Sequence, residues 1–252
     1  MTQGQSAFFR RDGVSYAPTG LGLSPWDKRS QSGVSLAGLV ALVLETTQTQ
    51  SPMHTARITI DIMGAVPMAP LTPTVRLLRD GPRMQLVEVE LRSGDKTWVR
   101  TTALRARISD SPVHAQQLTH PLPQEQAITQ RMSWADIVRP SGDFKVRGPG
   151  AMWIRLTADV VEGEPLTPLQ RMAAVADFGS GTAPLVPYRH WTAANLDIVM
   201  NFSRLAQGEW LLVDATSESA GNGIGIANAR MGDRDGMFAT TAQTLFLNPR
   251  VQ

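Results

Sequence analysis

The sequence predicts an α+β chain of two similar halves, each a long helix wrapped by a strongly curved antiparallel sheet. Three observations carry that reading. A helix-length apolar stretch occurs once per half, at residues 30–45 and 166–181. Each is followed by segments of alternating apolar and polar residues punctuated by turn dipeptides. Short stretches also match between the halves. Thr59-Ile-Asp-Ile62 resembles Asn195-Leu-Asp-Ile198, and Trp98-Val-Arg-Thr-Thr-Ala-Leu104 resembles Met237-Phe-Ala-Thr-Thr-Ala-Gln243, at nearly equal separations. Two helix-on-sheet units of this kind bury their apolar faces by packing as a pseudo-dimer.

The elements follow in order. A strand around Phe8 and Phe9 leads into a Pro/Gly-rich loop to about Trp26. Residues 30–45 are apolar nearly all round, with Gly33 and Gly38 allowing close backbone approach, and their length favours a buried helix over a strand. Ile58, Ile60 and Ile62 then alternate onto one strand face. Strands are expected at 75–78, 84–91 and 97–106, with turns at Asp80-Gly81 and Ser93-Gly94-Asp95. From about 108 to 150 the pattern loosens, so the chain divides into a first domain at 1–108, a connector at 109–130 and a second domain at 131–252.

In the second half a strand is expected at 152–160. The helix after it opens on a start signal: Thr167 as cap, Pro168 at the first helical position, and Gln170 reaching back. Leu169, Met172, Ala173 and Ala176 form its buried stripe, and Gly179 and Gly181 supply left-handed stopping positions. Residues 195–202 alternate with Leu196, Ile198, Met200 and Phe202 together, before strands at 209–216, 225–231 and 237–246.

Composition narrows the function. The 24 basic and 22 acidic residues nearly balance, which argues against a nucleic-acid partner. With no cysteine there is no disulfide, thiolate nucleophile or Cys-ligated metal. The N-terminal stretch, residues 1–11, does not resemble a secretory signal, and the longest apolar run, 36–44, is too short to span a bilayer. A cytoplasmic protein with no membrane partner is expected. His54, His114, His120 and His190 show no metal-ligand spacing, so neither metal nor cofactor is expected. Phe178-Gly-Ser-Gly-Thr182 departs from G-x-S-x-G, and Gly221-Asn-Gly-Ile-Gly225 reads as a loop between strands.

One residue breaks a local rule. Asp177 lies in the last turn of its helix, where the dipole disfavours an anion, at the edge of the apolar stripe. Its competing readings are a functional carboxylate and a side chain that swings out to cap the next turn. Overlaying the halves sets Glu45 against Asp177, Thr59 against Asn195 and Leu104 against Gln243. The second half alone then carries an acid with two amides, a set able to deprotonate and orient a water. Asp197 is a second choice for the acid, and Glu45 a vestigial one.

These residues carry a resemblance. Gln31-Ser-Gly…Ala37-Gly-Leu-Val, residues 55–62, Leu78-Arg-Asp-Gly81 and residues 98–104 resemble the N-terminal half of the acyl-CoA thioesterase II family. Ala173-Ala-Val-Ala-Asp-Phe, Ala194-Asn-Leu-Asp-Ile, Gly208-Glu-Trp-Leu-Leu212, Ser217-Glu-Ser-Ala220 and Asp235-Gly…Ala242-Gln243 resemble its C-terminal half. The resemblance implies a double hotdog fold that hydrolyses acyl-CoA to free acid and coenzyme A. It assigns catalysis to Asp177, Asn195 and Gln243, with Asn195 standing where the family carries Thr. It also implies an apolar acyl tunnel by the second helix, with Met172 and Phe178 as candidate walls. By fold analogy the chain forms a homodimer or larger homo-oligomer. Two other classes compete: an enoyl-CoA hydratase, for which no closely spaced Asp and His occur, and a non-catalytic acyl-CoA or lipid binder.

Overall fold

The computed structural model describes residues 6–250, so the first five residues of the N-terminal stretch read above lie outside it. The first half opens with β1 (Ala7–Asp12) and β2 (Ser15–Pro18), then α1 (Gly33–Glu45), β3 (Met53–Ile62), β4 (Thr72–Arg79), β5 (Met84–Ser93) and β6 (Lys96–Arg107). The second half has β7 (Gln130–Arg131), β8 (Ala135–Asp143), β9 (Val146–Leu156), β10 (Asp159–Val161), α2 (Pro168–Ala176) and the short α3 (Gly179–Thr182). It ends with β11 (Trp191–Asn195), β12 (Asp197–Phe202), β13 (Trp210–Glu218), β14 (Ile224–Asp233) and β15 (Gly236–Pro249).

Both halves contribute to one twelve-stranded antiparallel sheet in the order β4-β5-β6-β3-β12-β15-β14-β13-β9-β8-β7, with β11 also on β15. The join is β3 with β12, where Asp61 lies opposite Asp197 and Ile60 opposite Ile198. These are the strands whose sequences match between the halves. α1 and α2 pack on each other and on the same side of the sheet, over a core that includes Leu39, Val43, Ile58, Ile60, Ile154 and Ile198. Gly38 permits the close approach: a Cβ there would lie 2.9 Å from Val160 Cγ2 and 3.8 Å from the Ala174 Cβ. A separate three-stranded sheet, β10-β1-β2, flanks the helices.

Several expectations are corrected. The 152–160 strand breaks after Leu156 and resumes as β10 against β1, and the β8–β9 hairpin occupies residues read as patternless. Register shifts between Val138 and Ser141, and again before Asp143, scramble its alternation. The second helix is short, ending at Ala176. Gly179 and Gly181 have no positive φ and form α3. Gln170 does not reach back; its Nε2 donates to Glu45 across the helix pair. Leu196 sits at the break between β11 and β12 and is exposed, unlike Ile198, Met200 and Phe202. Residues 109–130 are mostly exposed, and a few of them touch the second half. Leu118 and Ile128 cover Trp153 and Leu212, and the Met237 N–H donates to the Gln116 carbonyl.

Candidate active site

The helix pair is antiparallel, and each helix ends its run at the start of the other. Thr167 caps α2 by accepting from the Gln170 N–H at 3.2 Å. Its hydroxyl also donates to the Glu45 carboxylate at the end of α1. At the opposite end Ser32 caps α1, accepting from the Ser35 N–H. Asp177, which follows the last residue of α2, lies against that cap. A Cβ on Gly33 would fall 2.1 Å from Asp177 Oδ1, so only glycine admits the carboxylate there. The anomaly in the sequence is thereby resolved. Asp177 is at the negative end of its own helix and at the positive end of α1.

Asn195, at the end of β11, donates from Nδ2 to Asp177 Oδ1 at 2.5 Å. Asp177 is half-buried as a residue, but its carboxyl group is enclosed by protein. Desolvation pushes its pKa from 3.8 up to about 6, against the opposing pull of hydrogen bonds from Asn195 and the Val34 N–H. Asn195 Oδ1 is buried without a hydrogen-bond partner among the described residues. An unmatched buried acceptor costs about 1–3 kcal/mol, so it marks a place for a donor such as water.

Gln243 of β15 is 1% exposed and works on the backbone. Its Nε2 donates to the Asp177 carbonyl at 2.9 Å, and its Oε1 accepts from the Ser180 N–H at 2.7 Å. Gly179 makes room, since a Cβ there would lie 2.6 Å from that Oε1. The amide thus clamps the turn that carries the carboxylate, with the second Nε2 hydrogen left for another acceptor.

Two family models match the chain: the acyl-CoA thioesterase N-terminal domain over residues 23–106 and the C-terminal domain over residues 112–247. The chain belongs to the acyl-CoA thioesterase family. Members of that family are acyl-CoA thioester hydrolases, and this chain is one of them. Solved structures share its fold. An acyl-CoA thioesterase II, TesB2, from Mycobacterium marinum aligns with TM-score 0.70 at 17% identity over 96% of each chain. A conserved protein with a hot dog fold from Alicyclobacillus acidocaldarius gives 0.73 at 15% identity over 98% of each. A tesB protein from Mycobacterium avium subsp. paratuberculosis gives 0.69 at 16% over 96% of each. No curated protein sequence matches the chain.

Of the residues singled out in this thioesterase's sequence, the structure brings Asp177, Asn195 and Gln243 together. Met172 is fully buried in the main core, its sulfur accepting from the Ala206 N–H at 3.1 Å. Phe178 is half-buried against Trp134, ring centres 5.8 Å apart. Asp197 is occupied structurally, accepting from the Thr244 N–H at 2.6 Å. In the first half the ground beside Glu45 is filled by Arg105, a buried guanidinium that donates to the carbonyls of Leu44 and Thr47 and to Gln85. A cavity of about 540 Å³ opens beyond Leu185 and Leu247 rather than over Asp177. At Asp177 a carboxyl group raised by burial meets the unpaired Asn195 Oδ1 and the start of α1. The sequence did not point to Gly33, the Val34 N–H or Ser180 as site residues. Gly33 did stand out as a point of close approach, but its partner is distant in sequence.

Proposed function

We propose that Asp177 is the general base of acyl-CoA hydrolysis, acting on a water held between its carboxylate and Asn195. The carboxylate takes a proton as the water oxygen adds to the thioester carbonyl. The tetrahedral oxyanion then collapses, the C–S bond breaks, and Asp177 returns the proton to the coenzyme A thiolate. Charge developing on the carbonyl oxygen is stabilised by the positive end of α1. Gln243 contributes by fixing the 177–180 turn and by offering its remaining N–H to the water. Asn195 replaces a threonine of the family and supplies both a donor and an acceptor.

The observation that carries the proposal is a carboxylate poised near pH 6 at a helix start, beside an unpaired Asn195 Oδ1. A base in that range is largely deprotonated at neutral pH yet retains basicity. Thiol release from a panel of short, medium, long and aryl acyl-CoAs tests it, and the cysteine-free protein is silent in the assay. Turnover that vanishes in Asp177→Ala is the expected result. Full activity in that variant removes the assignment, and tight acyl-CoA binding without turnover favours the binding-protein reading. A cytoplasmic homo-oligomer is part of the same proposal. The sheet-edge strand β4, with Val75, Leu77 and Leu78 exposed, supports association. No helix among the described residues is long and apolar enough to cross a membrane.

A further inference from the structure

Strand register continues the site in one direction. Gln243, Leu245 and Leu247 alternate onto one face of β15 and are all buried. Their directly opposed neighbours share that face: Ala227 beside Gln243, Asn195 and Gly225 beside Leu245, and Ala193 beside Leu247. The two amides of the candidate site therefore head a floor whose remaining members are small or aliphatic. Ala193, Ala227, Leu245 and Leu247 form an apolar cluster separate from the main core. At about 3.3 Å per residue, Leu247 lies roughly 13 Å along the strand from Gln243.

The floor is covered from above by Leu185, with Trp26, Val186, Tyr188 and Trp191 packed on the same cluster. The loop after α3 carries Leu185 down onto the floor, where a Cβ on Gly225 would meet Leu185 Cδ1 at 2.5 Å. Two hydrogen bonds anchor the loop's ends. Tyr188 donates from its hydroxyl to the Ser180 carbonyl at 3.0 Å, and Ser217 Oγ donates to the Ala183 carbonyl at 2.7 Å. Beyond Leu185 the space reopens as the cavity of about 540 Å³, which Leu185 and Leu247 also line. Leu185 is thus a partition between an apolar floor that starts at Asn195 and Gln243 and an open groove of about 540 Å³.

We infer that the acyl chain of the substrate lies along the Ala227–Leu245–Ala193 floor and that Leu185 sets the length the enzyme accepts, favouring short acyl groups. This rests on the hydrolytic role proposed for Asp177 and adds the acyl subsite to it. A partition of this kind discriminates by volume. A pocket distinguishes chains differing by a methylene by about tenfold or more, so removing the partition reverses a preference over a few carbons.

The test is the ratio of kcat/KM for dodecanoyl-CoA to that for butanoyl-CoA. Wild type is expected to favour butanoyl-CoA. Leu185→Ala should raise the ratio at least tenfold, and Leu185→Phe should lower it. Leu185→Val decides the point if Leu185→Ala does not fold, by shifting the ratio upward in the same sense. Ratios within twofold of wild type in the folded variants, with Asp177→Asn inactive, overturn the acyl subsite alone. Absence of turnover in wild type, or full turnover in Asp177→Asn, overturns the hydrolytic role and this inference with it.

Discussion

Replacing Asp177 by Asn should stabilise the protein while abolishing hydrolysis, and the stabilisation should depend on pH in a defined way. An aspartate ordinarily titrates at 3.8, and in the fold this one is raised to about 6. The folded state therefore holds the proton more tightly than the unfolded state between those values. Stability owed to that proton is fully present below about pH 4 and is lost as pH rises through about 6. At pH 8 the wild-type protein carries the whole cost of a charged, desolvated carboxylate, at most about 3 kcal/mol. Asn keeps the shape and removes the charge. Its amide can donate to Asn195 Oδ1, which has no partner now. At about 2 °C per kcal/mol for a chain of this size, Asp177→Asn should melt up to about 6 °C above wild type at pH 8. The two should converge near pH 4. Calorimetric melting from pH 4 to pH 8 measures the difference. A Tm difference that is constant across that range, or that makes the variant less stable at pH 8, refutes the reasoning.

Gly33→Ala should cut kcat at least a hundredfold with an unchanged far-ultraviolet spectrum, because the new methyl displaces the carboxylate from the start of α1. Gln243→Ala strands the Ser180 N–H and the Asp177 carbonyl and should cost about 2–3 kcal/mol in urea unfolding, lowering kcat more than it raises KM. Asp233 is fully buried against Arg204; burial pushes its carboxyl up, but that guanidinium and the Gln207 and Asp235 N–H groups outweigh it and hold the carboxyl below its usual range. Asp233→Ala should destabilise by about 3–5 kcal/mol at pH 7, a deficit that narrows in acid as the wild-type carboxylate is protonated.

What the sequence discloses and what it hides follow a physical line. The α1 run is visible because its apolar length exceeds that of a strand, and β3 because its isoleucines alternate without interruption. The β8–β9 hairpin is hidden because Pro140, Gly142, Gly148 and Pro149 punctuate it and register shifts break its alternation. Asp177 is visible as an anion at the wrong end of a helix. What makes the place right for it, the cap of α1, lies over 140 residues away and has no local signature. Gln243 stands out by contrast with Leu104, but that it clamps the 177–180 turn depends on Gly179, whose role is space rather than a turn. Met172 reads as a buried stripe residue, and the structure keeps it in the packed core.

The exchange of acids between the two helices has a consequence for symmetry. In a true dimer of identical halves, whatever stands at one end of the helix pair must also stand at the other. Covalent fusion lifts that constraint. One end holds Glu45 tied to Thr167 and Gln170, with a buried arginine beside it, while the other holds Asp177 bonded to Asn195 at the head of an apolar floor. Neither half owns the second arrangement: the carboxylate comes from residues after α2, and the helix start that receives it comes from residues before β3. Expressed apart, the halves would each carry an incomplete cradle, so any split or permuted version of the chain must restore both before either end can be assembled.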